Sequence, residues 1–376
     1  MNASRSDGGA QRMRVLMAGG GTGGHVIPAL AIARELRDSF GAEVRFVGTA
    51  RGLETKLVPE AGFRLELVRS GQLKNVGLAT RLKTAADVPR GVMECLRLIR
   101  EFRPQVVVGV GGYASGPGMA AAILLNVPTL AYEPNAVPGM TNRWLGKRVS
   151  AAAVNFEQTA AYFRNAEATG VPVRPEIFNI PARPEGAAPR LLVTAGSQGA
   201  RIFNELMPKI VAPLLAGVRG LTILHQAGAR HVLATREAFQ ASGADPGRWR
   251  VEAFLEDMAA EYDAADLVLA RSGSTVAELC AAGKASVLVP FAAAADDHQR
   301  KNAEVLVHAG AAAMLLERDA TPDRLLEMLR DLLLDPSWRA AMSAAARRLA
   351  KPGALQRIVE IVERLAQERS GTRQRG

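Results

Sequence analysis

A histidine, His25, closes the run Gly19-Gly20-Gly21-Thr22-Gly23-Gly24. Imidazole is the side chain whose charge changes near neutral pH, and a bare glycine turn lets a substrate approach the backbone closely. His25 there suits a general base or a phosphate donor, with a plain helix cap as the alternative. Glu133-Pro134-Asn135 could aim a carboxylate and an amide into one crevice. Gly196-Ser197-Gln198-Gly199-Ala200 is a second small, polar turn. Arg271-Ser272-Gly273-Ser274-Thr275 offers hydroxyls and amides to a phosphate, and Glu278 follows about one helical turn later. A carboxylate in that position can accept two hydrogen bonds from a ribose diol. Asp296-Asp297-His298-Gln299 could bind the hydroxyls of a sugar, or form an ordinary solvated loop.

These residues need elements to hold them. Met13 to Ala18 and Arg190 to Ala195 are short apolar runs that each break into a glycine turn and then a helical pattern, with the first strand expected at Arg14 to Met17. A buried strand that delivers a turn to a helix N-terminus presents unpaired amides and a helix dipole to an anion. Further strands are expected at Glu43–Gly48, 64–68, 106–109, 129–132 and 151–154, and in the second half at 191–194, 222–226, 249–252, 267–270 and 286–290. Helical patterns lie between them, which is the signature of doubly wound parallel sheets. Gly109-Val110-Gly111-Gly112-Tyr113 is one more glycine turn at a strand end, suited either to a site or to tight strand-to-helix packing. Prolines at 172, 175, 181, 184 and 189 mark a linker. The expectation is two similar domains facing one another across a cleft, at 1–174 and 175–352. A last helix at 353–376 could pack on either domain.

Composition narrows the class. At 376 residues, with 48% hydrophobic and 22% charged, the chain is globular and long enough for two cores. Cys95 and Cys280 sit in apolar helical patterns and read as small core residues of a reducing compartment. No apolar run reaches the length of a membrane span, and the first residues lack the apolar stretch of a signal peptide. A net charge of +10 implies an acidic partner, which could be nucleic acid, an anionic bilayer or a phosphorylated substrate. Only 5% of residues are aromatic, and they do not interleave with basic residues as single-strand binders require, so the motifs must decide.

Several signals are absent. The first glycine turn lacks the acidic residue that a dinucleotide fingerprint places after the second strand, because Val44 to Gly48 runs into Thr49-Ala50-Arg51. There is no Asp-x-Asp pair, no Gly-Lys-Ser/Thr phosphate loop and no zinc-like cysteine and histidine grouping.

Taken in order, Gly20 to His25, Gly111-Gly112-Tyr113 with Ser115-Gly116-Pro117, Gly196 to Ala200, Phe254 with Asp257-Met258, Arg271-Ser272-Gly273, and Asp297-His298-Gln299 with Asn302-Ala303 closely resemble one family. It is the MurG family, the bacterial N-acetylglucosaminyltransferases of peptidoglycan synthesis, and the resemblance spans almost the whole chain. It implies a GT-B fold, α/β, with two Rossmann-like domains. It also implies inverting transfer of GlcNAc from UDP-GlcNAc to the C4 hydroxyl of undecaprenyl-diphospho-MurNAc-pentapeptide (lipid I), giving lipid II for the cell wall. Neither a cofactor nor a bound metal is implied.

Carried over by motif, Ser197, Gln198, Gly199, Ser274 and Thr275 should hold the UDP diphosphate. The backbone of Leu255 should read uracil, Glu278 the ribose, and Asn135 and Gln299 the GlcNAc hydroxyls, while Arg174 matches a family arginine near the nucleotide. Thr22, Gly23 and Gly24 should meet the acceptor diphosphate, His25 is the first choice for catalytic base and Glu133 the second. The two glycine turns would thus have diverged, the one at Gly196 toward the donor and the one at Gly19 toward the acceptor. The chain departs from the family at Pro134, where glutamine is usual, and at Val171, where asparagine is common. Other GT-B enzymes, such as a glycolipid glycosyltransferase or a UDP-GlcNAc 2-epimerase, and a non-catalytic UDP-sugar scaffold are the alternatives.

The lipid acceptor would account for the charge. Lys74, Arg81, Lys83, Arg90, Arg97 and Arg100 interleave with Val76, Leu78, Leu82, Val88, Val92 and Leu96, a mix suited to an anionic bilayer or to an ordinary solvated helix face. The resemblance implies peripheral attachment at the cytoplasmic face of the inner membrane, other cell-wall synthesis proteins as neighbours, and no nucleic acid.

Overall fold

The computed structural model describes residues 12–70, 78–112, 114–184 and 186–374, with the side chains of 78–86 and 370–374 outside that description. The chain divides into two compact units. The first comprises Met1–Pro134, Pro138–Pro172 and Gly353–Gly376, and the second Asn135–Val137 and Val173–Pro352. Each passage of the chain from one unit to the other has a proline beside it, at Pro134, Pro138, Pro172 and Pro352. Proline fixes φ at each of these four positions.

The first unit holds strands β1 (Arg14–Gly19), β2 (Glu43–Gly48), β3 (Arg64–Leu67), β4 (Val106–Gly111), β5 (Thr129–Glu133), β6 (Ala151–Val154) and β7 (Ala166–Glu167). All pairings are parallel, in the order β3-β2-β1-β4-β5-β6-β7. The second unit repeats the plan with β8 (Arg190–Thr194), β9 (Thr222–Gln226), β10 (Trp249–Glu252), β11 (Leu267–Ala270), β12 (Ser286–Leu288) and β13 (Ala312–Met314), in the parallel order β10-β9-β8-β11-β12-β13. In both sheets the order reverses beside the first strand, between β1 and β4 and between β8 and β11. The crevice at the carboxyl ends of such a pair is where open parallel sheets bind ligands. The glycine turns after β1, β4, β8 and β11 all leave from those four ends.

Central strands buried on both faces explain the unbroken apolar runs: Val15, Leu16, Met17 and Ala18 are all buried, as are Leu267 to Ala270. Strands β7 and β13 lie at sheet edges and are short, and the alanine-rich sequence of β13 carries no alternation that would announce it. Two helices are longer than their periodicity suggests. Gly23–Phe40 carries Pro28 and Leu78–Phe102 carries Pro89, and both continue through the proline.

The last helix, Ala354–Gln374, belongs to the first unit. Its Ile358, Val359, Ile361, Val362 and Leu365 are buried in one cluster with Val15, Met17, Val26, Leu30 and Tyr132. At about 1.5–3 kcal/mol per fully buried aliphatic side chain, this face anchors the helix firmly. Arg357 adds an ion pair to Glu167 in the same unit. Cys95 and Cys280 are buried, and burial pushes each thiol up to about 12, which leaves them unreactive near neutral pH.

Candidate active site

In the first unit, β1 ends at Gly19 and the helix Gly23–Phe40 begins four residues later, with Thr22 as the extended residue before its first turn. The carbonyl of Thr22 accepts from the amides of His25 (3.1 Å) and Val26 (3.0 Å), so His25 is held in the first turn. The turn after β4 makes the room: a Cβ on Gly111 would come within 2.7 Å of His25 Cε1 and 2.8 Å of Nδ1. The imidazole therefore lies against bare backbone, half-buried. The two turns also interlock, because Gly20 N–H donates to Gly111 O (3.3 Å) and a Cβ on Gly112 would strike Gly20 O at 2.1 Å. Gly111 and Gly112 hold φ of +90° and +78°, a second reason that only glycine serves. Thr22 is exposed, and no acceptor among the described residues takes the amides of Thr22, Gly23 or Gly24.

Glu133 and Asn135, neighbours in sequence, fall in different units. Glu133 is buried at the end of β5, and its Oε2 accepts from Gly139 N (3.0 Å) and Asn142 Nδ2 (3.0 Å), which ties it into the first unit. Asn135 leaves with the second unit, because Asn302 captures its segment: Asn302 Nδ2 donates to Asn135 Oδ1 (3.1 Å) and to Ser272 O (3.1 Å), while Asn302 Oδ1 accepts from Ala136 N (2.8 Å). Pro134 marks the divide, and its carbonyl accepts from Asn155 Nδ2 (3.2 Å).

In the second unit, the turn after β8 leaves Ser197 and Gln198 exposed, and Gly199 N–H closes it onto Gly196 O (3.0 Å). Gly199 packs against the next loop so closely that a Cβ would sit 2.1 Å from Ala227 O. At the neighbouring strand end, β11 delivers Arg271 to Ser274, and the helix Thr275–Ala282 starts with Glu278 in its first turn. Tyr262 Oη donates to Glu278 Oε2 (2.9 Å). Burial lifts the Glu278 carboxyl above the ordinary carboxylate range, against the pull of Tyr262 and of the Arg174 charge. Arg174, Tyr262 and Glu278 thus form one group, with Arg174 also 3.7 Å from Glu176. Leu255 is buried in the segment after β10 and is flanked by exposed Phe254.

Gln299 lies against the same strand end. Its backbone carbonyl accepts from Ser272 Oγ (2.8 Å), its Oε1 from Phe291 N (3.0 Å), and its amide nitrogen stands 3.7 Å from where a Gly273 Cβ would be. Arg271 braces this loop from beneath. It makes a two-pronged pair with Glu317 (both 3.1 Å), whose Oε2 also takes Ala292 N (2.8 Å). Asp296 and Asp297 both sit at φ of +54°, a strained conformation for non-glycine residues.

Three residues that hydrogen-bond to candidate site residues or their turns were not singled out by sequence reasoning: Tyr262 (to Glu278), Asn302 (to Asn135) and Glu54, whose Oε2 accepts from Gly21 N. Asn302 stands inside the motif already quoted but had no assigned task. Tyr262 and Glu54 lie in ordinary amphipathic patterns. Among the described residues, no group of three or more His, Cys, Asp or Glu is placed to hold a metal ion.

Each strand end therefore offers distinct chemistry: an imidazole beside open amides in the first unit, and hydroxyls, amides and a buried carboxylate in the second. A family model described as the glycosyltransferase family 28 N-terminal domain matches residues 15–154, and one described as the family 28 C-terminal domain matches residues 190–359. A UDP-N-acetylglucosamine–N-acetylmuramyl-(pentapeptide) pyrophosphoryl-undecaprenol N-acetylglucosamine transferase of Anaeromyxobacter dehalogenans (strain 2CP-C) is 45% identical, over 96% of this chain and 95% of that relative. The protein of the same name from Solibacter usitatus (strain Ellin6076) is 43% identical over 93% and 96% of the two chains. A crystal structure of Acinetobacter baumannii MurG matches with a TM-score of 0.78 at 31% identity, covering 94% of this chain and 99% of that one.

Proposed function

The chain belongs to the MurG family within glycosyltransferase family 28, and from that premise we propose that it makes lipid II by inverting transfer of GlcNAc from UDP-GlcNAc to lipid I. The observation that carries the reading is the strand order of the second unit. Adjacent strands β8 and β11 end in a hydroxyl and amide turn fit for a diphosphate and, one helical turn on, in a carboxylate fit for a ribose.

The donor's diphosphate would lie along Ser197, Gln198 and Gly199 and against Ser274 and Thr275, where helix N-termini stabilise negative charge. Glu278 would accept from the ribose hydroxyls, the Leu255 backbone would meet uracil, and Arg174 would offset charge beside the nucleotide. Asn135 and Gln299 would orient the GlcNAc, with Asn302 and Ser272 holding those two in place. On the first unit, Thr22, Gly23 and Gly24 would take the acceptor diphosphate through their open amides.

The reaction is a single displacement. His25 accepts the proton of the acceptor's C4 hydroxyl, O4 forms a bond to C1 of GlcNAc, and the bond from C1 to the UDP oxygen breaks with its electron pair leaving on UDP. No covalent enzyme intermediate arises, and the charge that grows on UDP meets amides already in place. Glu133 is the less suitable base because its Oε2 is engaged by Gly139 and Asn142. The expected result with UDP-GlcNAc and a soluble lipid I analogue is UDP release that depends on the acceptor. Isomerisation of the sugar without acceptor would support a 2-epimerase instead, and binding without turnover a scaffold.

Peripheral attachment to the cytoplasmic face of the inner membrane is the second part of the proposal. No helix among the described residues is long and apolar enough to cross a membrane. On Leu78–Phe102, Arg90, Arg97, Arg100 and Met93 are exposed, whereas Val92 and Leu96 pack against the core with Cys95 and Ile99. Electrostatics therefore outweighs apolar insertion over this stretch; Val88 is half-buried, and Lys74, Val76 and the side chains of Leu78, Arg81, Leu82 and Lys83 lie outside the described residues. Binding to vesicles containing anionic lipid is expected to weaken as salt shortens the screening length toward ~10 Å at 0.1 M. Equal binding to neutral vesicles, or no response to salt, would count against it. Other cell-wall synthesis proteins are candidate partners, an expectation that rests on the family.

A further inference from the structure

We infer that Glu54 is a positioning residue that sets the acceptor turn, an inference that rests on the placement of the acceptor diphosphate at Thr22 to Gly24. Glu54 opens the helix Glu54–Glu60 after β2 and is 1% exposed. No cation among the described residues pairs with its carboxylate. Three hydrogen bonds do the work of a counterion, and they come from two loops. Oε2 accepts from Gly21 N (2.6 Å), and Oε1 from Thr49 N and Thr49 Oγ1 (both 3.0 Å). Leu53 N–H returns a bond to Gly21 O (3.1 Å), so the loops after β1 and β2 are joined in both directions.

The glycines around Glu54 are explained by it. A Cβ on Gly20 would come within 2.3 Å of the carboxylate, one on Gly52 within 1.9 Å, and one on Gly48 within 2.7 Å of Cγ. The glycine run is thus shaped from inside by a carboxylate as well as from outside by a substrate. Gly21 N–H is taken up by Glu54, whereas the amides of Thr22, Gly23 and Gly24 have no acceptor among the described residues. An anion at that turn is met by Thr22, Gly23 and Gly24, and Gly21 is withheld from it.

Glu54→Gln keeps the size of the side chain but replaces one acceptor oxygen with an NH2 group facing an N–H donor. Thr49→Val removes only the hydroxyl donor at nearly constant volume. Loss of one such bond should raise the acceptor KM roughly tenfold in Glu54→Gln and several-fold in Thr49→Val. The calorimetric Kd for UDP-GlcNAc should stay at the wild-type value, a split that a general loss of structure would not produce. Amide exchange over residues 20–25, which needs no substrate, should quicken in both variants. Wild-type acceptor KM and wild-type exchange in both variants would overturn the inference, as would equal losses of donor and acceptor binding accompanied by a lowered Tm. Absence of turnover in the wild-type enzyme would sink the functional reading, while the exchange measurement would still decide whether Glu54 orders the turn.

Discussion

Replacing His25 with alanine should lower kcat by about 10²–10⁴-fold, the range for loss of a general base, while UDP-GlcNAc binds as before. The separation follows from the fold. His25 stands in the first turn of Gly23–Phe40, seated against Gly111, whereas the donor residues belong to β8, β11 and the segments that follow them in the second unit. An interaction made only in the transition state lowers kcat and kcat/KM together and leaves ground-state affinity alone. Near-normal turnover of His25→Ala would remove the imidazole from the chemistry. Glu133→Gln provides the contrast: it disturbs bonds to Gly139 and Asn142, so its main effect should be on stability, about 1–3 kcal/mol for buried partners left poorly satisfied.

Glu278→Gln should have the other large effect, and on binding. The amide retains an oxygen for Tyr262 but loses the charge and replaces the second acceptor oxygen with an NH2 donor, so the paired acceptance from the ribose diol is lost. At about 1.5–3 kcal/mol for a hydrogen bond to a charged group, the donor Kd should rise at least tenfold. Calorimetry on the variant checks this, and an unchanged Kd would dissociate Glu278 from the nucleotide. A pH dependence follows from the same residue. Burial lifts the Glu278 carboxyl above the ordinary carboxylate range while Tyr262 and Arg174 pull it down. Donor affinity should be full while the group is ionised and should fall on acidification, beginning at a higher pH than a solvated glutamate would give. Tyr262→Phe removes one of the opposing pulls, so its acid limb should move further up.

The fold class was legible because apolar strands that end in glycine turns carry their signal locally. β1, β4, β8 and β11 each pair a buried run with a turn at its carboxyl end, and their places beside the strand-order reversal follow from ordinary right-handed winding. The edge strands β7 and β13 were not legible, since two or three half-buried residues leave no pattern to read. Nor was the excursion of Asn135–Val137, which depends on Asn302 a long way down the chain.

Sites made of backbone groups are the hardest to see. Gly21 and Thr49 supply amides to Glu54, and an amide has no letter of its own in a sequence; the glycines at 20, 48 and 52 are the only trace. Tyr262 reads as an aromatic on a short amphipathic helix, and only the bond from its hydroxyl to Glu278 separates it from a core residue. By contrast, Ser197, Gln198, Ser274 and His25 could be picked out as candidates from the sequence, because they are polar residues in or beside glycine turns that follow apolar strands.

The most direct test of the account is the anomeric configuration of the product formed from UDP-GlcNAc and a lipid I analogue. A single displacement with His25 as base and UDP as leaving group predicts a β-linked GlcNAc on C4, formed in equal amount to the UDP released. An α-linked product would mean retention, which a single back-side displacement cannot give, and free sugar without acceptor-linked product would require a different reaction; either result would contradict it.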